Sequence, residues 1–422
     1  MKKLLRFALV AVLATSALPA FAQTRTWSGG NGNWSDASKW SGSNVPDTAG
    51  ETASIQFGSG VGIITVDNSY SIGGLDIQFG NTLTIGTGNT LDVGTLNFQG
   101  SSFQNGSGNL VASGAATWQT TLLSGNGSTT FNGALTINTP KTGGAVDGRT
   151  INTNGATTWS NQANPFVMLN SAVWNNGGTL TRTTASASSF DNLELTGGST
   201  FNNSGTFVKA GADSFTVNGG GLFTNTGTVR ADAGTLVFSN YAQSGASAQL
   251  VLNGGTVQLS SGSININGGG LSGAGTVSTA VNLAAGTYVG PGSSPGTLNL
   301  SSNFNMNSDA EFRLEIAGLT PGTEYDVLNV GGNANVTNAN LAVSFLGGFG
   351  PAISDAFTFL NVTGTATGMF DSVVLPTGYD GTVSLVNNSY VLTITAVPEP
   401  SAIGLVSMLG LGLVARRRRR QS

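Results

Sequence analysis

A Gly-Thr-apolar step recurs along this chain, at Gly94-Thr95-Leu96, Gly178-Thr179-Leu180, Gly205-Thr206-Phe207, Gly227-Thr228-Val229, Gly234-Thr235-Leu236, Gly255-Thr256-Val257, Gly275-Thr276-Val277 and Gly296-Thr297-Leu298. The last four start 21, 20 and 21 residues apart, and Gly205 and Gly227 are separated by 22. A period of this length marks a stack of small, similar units. Each step opens a short alternating run: Leu236 and Phe238 face one way and Val237 the other, Val257 and Leu259 flank Gln258, and Leu298 and Leu300 flank Asn299. Alternation with a period of two, punctuated by Gly and Asn, is the pattern of short strands between tight turns. A coil of about 21 residues holds three such strands and three corners, the geometry of a parallel β-helix. Asn203-Ser204-Gly205 and Asn225-Thr226-Gly227 read as corners, where Asn and Gly accept positive φ.

The predicted fold class is therefore all-β: a parallel β-helix or solenoid body over 61–304, preceded by a Trp- and Gly-rich N-terminal cap over 23–60. A C-terminal β capping module is predicted over 305–396, where Phe312, Leu314 and Ile316 alternate with Glu311, Arg313 and Glu315. A set of antiparallel sandwiches is the rival architecture, since hairpins also place short strands at regular spacing.

Both ends carry targeting patterns. Lys2, Lys3 and Arg6 precede an apolar core from Phe7 to Leu18, and Ala20-Phe21-Ala22 supplies a small-x-small site for cleavage before Gln23. Residues 1–22 thus read as a cleaved signal peptide, and signal peptidase is the first expected partner. At the other end, over 397–422, Val397-Pro398-Glu399-Pro400 is followed by an apolar run from Ala402 to Ala415 and then by Arg416, Arg417, Arg418, Arg419 and Arg420. The prolines disfavour helix, so the motif is expected to be extended and accessible. The apolar run spans only about 21 Å as a helix, short of the roughly 30 Å hydrocarbon core. It reads as a weak transmembrane helix, with the arginines as a cytoplasmic stop.

This ordered set resembles the PEP-CTERM sorting signal of Gram-negative bacteria. The resemblance implies recognition by an exosortase-type membrane protease that cleaves near the motif, and a link to exopolysaccharide and biofilm production. The region Gly268 to Phe304, with Gly273-Ala274-Gly275-Thr276-Val277 and Gly290-Pro291-Gly292-Ser293-Ser294-Pro295-Gly296, is similar to repeats near the ends of autotransporter passenger domains. The expected location is the cell envelope surface or the exterior, after export across the inner membrane and transient anchoring by the tail.

The mature body is acidic. Between Gln23 and Glu399 eight basic residues face all 20 acids, a balance of −12 that argues against nucleic acid as partner. The chain has no histidine and no cysteine, which excludes His-dependent triads, cysteine nucleophiles and His- or Cys-ligated zinc. Glycoside hydrolysis needs two carboxylates about 5–9.5 Å apart. Glu311 and Glu315 share a face but lie roughly 13 Å apart along a strand. Glu324 and Asp326 read as solvent-facing, and Arg149 with Asp147 and Arg230 with Asp232 as surface pairs. No catalytic residue, metal or cofactor is assigned.

Trp27, Trp34 and Trp40 form the one aromatic cluster near an end of the stack. They suit a plug over the open core, and exposed indoles would also stack on sugar rings. The expected function is a non-enzymatic surface or matrix protein that contributes to adhesion or to an exopolysaccharide layer, with extracellular polysaccharide as a partner. The competing reading is a carbohydrate-binding or polysaccharide-active β-helix protein.

Overall fold

The glycine of the Gly-Thr step lies where one coil rests on the previous one. A Cβ at Gly205 would stand 2.1 Å from the Gly178 carbonyl oxygen, and one at Gly227 2.1 Å from that of Gly205. The contact continues down the stack through Gly178, Gly155, Gly133, Gly114 and Gly94, whose Cβ atoms would each fall 2.1–2.5 Å from the carbonyl oxygen of the glycine one coil earlier. The same oxygens accept the backbone N–H of the following threonine: Thr206 donates to Gly178 and Thr228 to Gly205, both at 2.8 Å. Gly178, Gly205 and Gly227 do not have positive φ, nor do Asn203 and Asn225. Close approach of backbones, and not a left-handed corner, is what requires glycine here.

The computed structural model of the protein describes residues 23–398 except 57–61, 79, 101, 120–121, 139–143, 161–164 and 184–191. It is an all-β parallel solenoid. Among the described residues its ladders are parallel, apart from the strand Ser389–Ala396, which runs antiparallel to Ala356–Val362 and to Asp380–Val386. Parallel pairing across coils rules out the sandwich alternative. Leu180 lies opposite Phe207, Phe207 opposite Val229, Val229 opposite Leu250 and Leu250 opposite Leu271. Parallel pairing continues through Ser372–Val374.

The Gly-Thr steps divide between two columns. Thr179, Thr206 and Thr228 are register partners in one, and Thr235, Thr256 and Thr276 in the other. The last step slips: Gly275 faces Leu298 and not Gly296.

Inward side chains stack in like columns. Trp174, Phe201, Phe223 and Tyr241 follow one another in register, and the Phe201 and Phe223 rings are 4.8 Å apart and nearly parallel. Beside them runs a buried amide ladder: Asn176 Nδ2 donates to Asn203 Oδ1 (2.8 Å), and Asn203 Nδ2 to Asn225 Oδ1 (2.9 Å). Asn203 also donates to the carbonyls of Gly205 and Thr228, so an interior amide has every donor occupied.

Arg149 is a correction to the expected surface pair. Gly148, at φ +66°, turns the chain between two strands, and Arg149 enters the core while Asp147 accepts from Asn170 outside. The guanidinium is fully buried. Its Nε donates to Thr129 Oγ1 (2.7 Å), Nη1 to the carbonyls of Gly106 and Ser124, and Nη2 to those of Gly108 and Ser128. All five donors are used. Burial lowers its pKa to about 10, which leaves it charged at neutral pH. Arg182 and Lys209 occupy consecutive inward positions in register with Trp159; the Arg182 guanidinium lies 5.3 Å from the Phe215 ring, and Lys209 pairs with Asp213 at 2.8 Å. Arg230 and Asp232 do form a bidentate pair near the surface.

Two consequences are measurable by denaturant unfolding. Leu298 is fully buried and Asn299 is not, so Leu298→Asp should cost roughly 3–5 kcal/mol. Asn299→Asp keeps the oxygen that accepts from Asn329, gives up only the long (3.4 Å) bond to the Gly275 carbonyl, and should stay within about 1 kcal/mol of the parent. Equal midpoints for the two would contradict the register. Arg149→Met retains volume but strands four carbonyls, and the expected loss is at least about 3 kcal/mol.

Candidate functional site

The three tryptophans close the first coils. Each is at most 3% exposed, with Trp40 edge-on to Trp27 and to Trp34 at 4.9 and 4.8 Å. Each indole N–H is used: Trp27 donates to Gly30 O, Trp34 to Pro46 O and Trp40 to Trp34 O. Buried this way, they present no exposed ring on which a sugar would stack.

Of the tail motif, Val397 packs partly against the core and Pro398 is exposed directly after the last strand. Glu399, Pro400, the apolar run Ala402 to Ala415, Arg416 to Arg420, and the signal-cleavage residues Ala20 and Ala22 lie outside the described residues. Among the described residues no helix is long and apolar enough to cross a membrane.

A feature that sequence reasoning missed lies on the outer wall near residue 290. Two neighbouring coils place Ser272 opposite Gly290, and the next brings Arg313 alongside. With no side chain at Gly290, a cleft of about 290 Å³ opens between them, bounded by the Gly292–Ser293–Ser294 loop, Glu315 and Asp326. The Tyr288 ring packs flat on the Gly270 backbone, and its hydroxyl donates to Gln249 Oε1 (2.6 Å). On the ring's other face lies the Arg313 guanidinium, 3.5 Å from the centroid, with its Nε bonded to Glu311. This stacking fixes the arginine. Its Nη1 and Nη2 have no partner among the described residues, and neither has the Glu315 carboxylate.

Asp326 is the second correction. It is 1% exposed and faces inward beneath the loop, not toward solvent. Its Oδ1 accepts the Gly296 N–H (2.8 Å) and its Oδ2 the Glu315 N–H (3.0 Å), so it ties the loop to the neighbouring strand. The alternation of the sequence hid this, because the loop that covers Asp326 is supplied 30 residues earlier in the chain. Burial raises its pKa to about 7, helped by the nearby Glu315 charge and opposed by the two backbone donors.

The folded pKa is raised, so the contribution of Asp326 is full below about pH 4 and is lost as pH rises through 7. Between those values the wild-type protein should lose up to ~1.4 kcal/mol per pH unit relative to Asp326→Asn. Unfolding midpoints of the two proteins from pH 4 to pH 8 check this, and parallel curves would contradict it.

No protein-family model matches this chain, and no curated protein matches it in sequence.

Proposed function

We propose that this is an exported, non-enzymatic protein of the cell surface or extracellular matrix, contributing to adhesion or to an exopolysaccharide layer. The observation that carries the reading is the order of elements after the body: Val397-Pro398-Glu399-Pro400, then Ala402 to Ala415, then Arg416 to Arg420. The motif is read as the cleavage site, the apolar run as a short membrane anchor and the arginines as a stop to translocation. An N-terminal signal pattern ending at Ala22 supports the same route. On this reading the tail is a PEP-CTERM sorting signal, and the partners are signal peptidase and an exosortase-type membrane protease.

The body is compatible with such a role. A parallel solenoid of the autotransporter-passenger kind offers a long outer wall, and its stability is built from neighbour contacts alone. The absence of histidine and cysteine from the chain supports a non-enzymatic reading, because the commonest acid–base and nucleophilic groups are missing.

A tag placed after Ser422 tests the proposal in a bacterium that makes the protein. Wild-type protein should lose the tag, whereas Glu399→Ala should remain uncut in the membrane fraction. Deleting Arg416 to Arg420 should release uncut protein. Retention of the tag by wild-type protein at steady state would reduce the tail to an ordinary anchor.

A further inference from the structure

We infer that the outer-wall cleft at Gly290 binds a neutral saccharide unit, held between the Arg313 fork and the Glu315 carboxylate. Three observations converge on this chemistry. The first is hydrogen-bonding capacity facing solvent: on the half-exposed Arg313 side chain Nη1 and Nη2 have no protein partner among the described residues, and neither has the Glu315 carboxylate. A sugar hydroxyl donates and accepts at once, so adjacent hydroxyls on one ring satisfy both groups.

The second is preorganisation. Arg313 is clamped between the Tyr288 ring and Glu311, and the far wall is held by the two backbone bonds to Asp326. The Arg313 guanidinium and the backbone of the far wall are thus in place before binding, so the Glu315 side chain is the main group left to order, and a preformed wall favours affinity. The cleft is open to solvent at Ser293 and Ser294 and, at about 290 Å³, has the size of a small ligand pocket, room for about one sugar unit of a longer chain.

The third is charge. Glu311 already neutralises Arg313, and the Glu315 carboxylate stands beside it on a body with a balance of −12. An anionic sugar would meet a surplus of negative charge, and a cationic ligand would meet the guanidinium. An uncharged polyol meets neither penalty.

Gly290 supplies a clean probe. Its φ is not positive, and an added Cβ would lie 3.8 Å from Arg313 Cβ and 4.0 Å from Ser272 Cβ, at ordinary contact distance. Gly290→Gln should therefore leave the backbone in place while its side chain fills the cleft. The surface-protein reading enters only as the setting in which such glycans are met; the binding measurement uses purified full-length protein and is independent of the fate of the tail.

The experiment is saturation-transfer NMR with hexasaccharides of β-1,4-glucan, β-1,3-glucan, α-1,6-glucan and α-mannan, and with trigalacturonate as the anionic arm. At least one neutral hexasaccharide should bind. Gly290→Gln and Glu315→Gln should each weaken that binding at least about tenfold, while Asn299→Asp, on another part of the wall, leaves it unchanged. If Gly290→Gln fails to fold, Glu315→Gln alone decides. Binding by none of the neutral sugars, preference for trigalacturonate, or full binding by a folded variant would each overturn the assignment.

Discussion

The central coils of this protein lean on carbonyl oxygens that point at a place where other residues carry a Cβ. From Gly94 to Gly227 the glycine Cα of one coil sits above the peptide oxygen of the glycine one coil before, and that oxygen also accepts the next N–H of the ladder in the coils at Thr206 and Thr228. Neighbouring strands in a sheet lie about 4.8 Å apart. A corner that tracks the sheets at this spacing leaves no room for a Cβ at 2.1 Å from oxygen. The corner contact therefore sets where each coil turns, and the turn sets which residues of the following strand face inward.

Once the turn is set, like meets like. Asn203 lies between Asn176 and Asn225, and Phe201 between Trp174 and Phe223. Polar side chains enter the interior on these terms. An amide in the ladder finds its partners on adjacent coils, and Arg149 finds five acceptors because the two preceding coils turn their carbonyls toward the same point. At Arg149 and Asn203 every side-chain donor is satisfied, which matters because a buried charge or amide with an unpaired donor costs free energy.

Much of this was legible in the sequence, and the failures share a cause. The alternation of Leu298 and Leu300 about Asn299 specifies their faces, and the spacing near 21 residues specifies coils. The steps Gly227-Thr228 and Gly234-Thr235 look like one series in text but belong to different columns, because local pattern does not show which corner a residue occupies. Arg149 and Asp326 look like surface charges for the same reason. Their partners are 20–43 residues away for Arg149 and 11 and 30 for Asp326, beyond the reach of any local rule. The cleft at Gly290 is harder still. It exists because a side chain is missing between Ser272 and Arg313; Gly290 opens a conspicuous Gly- and Pro-rich motif, but nothing in that motif shows which neighbours a missing side chain would leave apart.

The glycine-to-carbonyl contact also makes length a free variable. A coil asks of its neighbours only a backbone oxygen at the corner, a ladder edge and side chains of its own kind in register, and it offers the same to the next. A copy of the coil that begins at Gly205 would carry its own Lys209–Asp213 pair and would meet a glycine carbonyl, a ladder edge, and Asn and Phe in register on both sides. Each such duplication would lengthen the rod by about 4.8 Å. Reach along the axis is thus open to adjustment by copying, independently of the outer wall, where a single substitution can open or close a cleft.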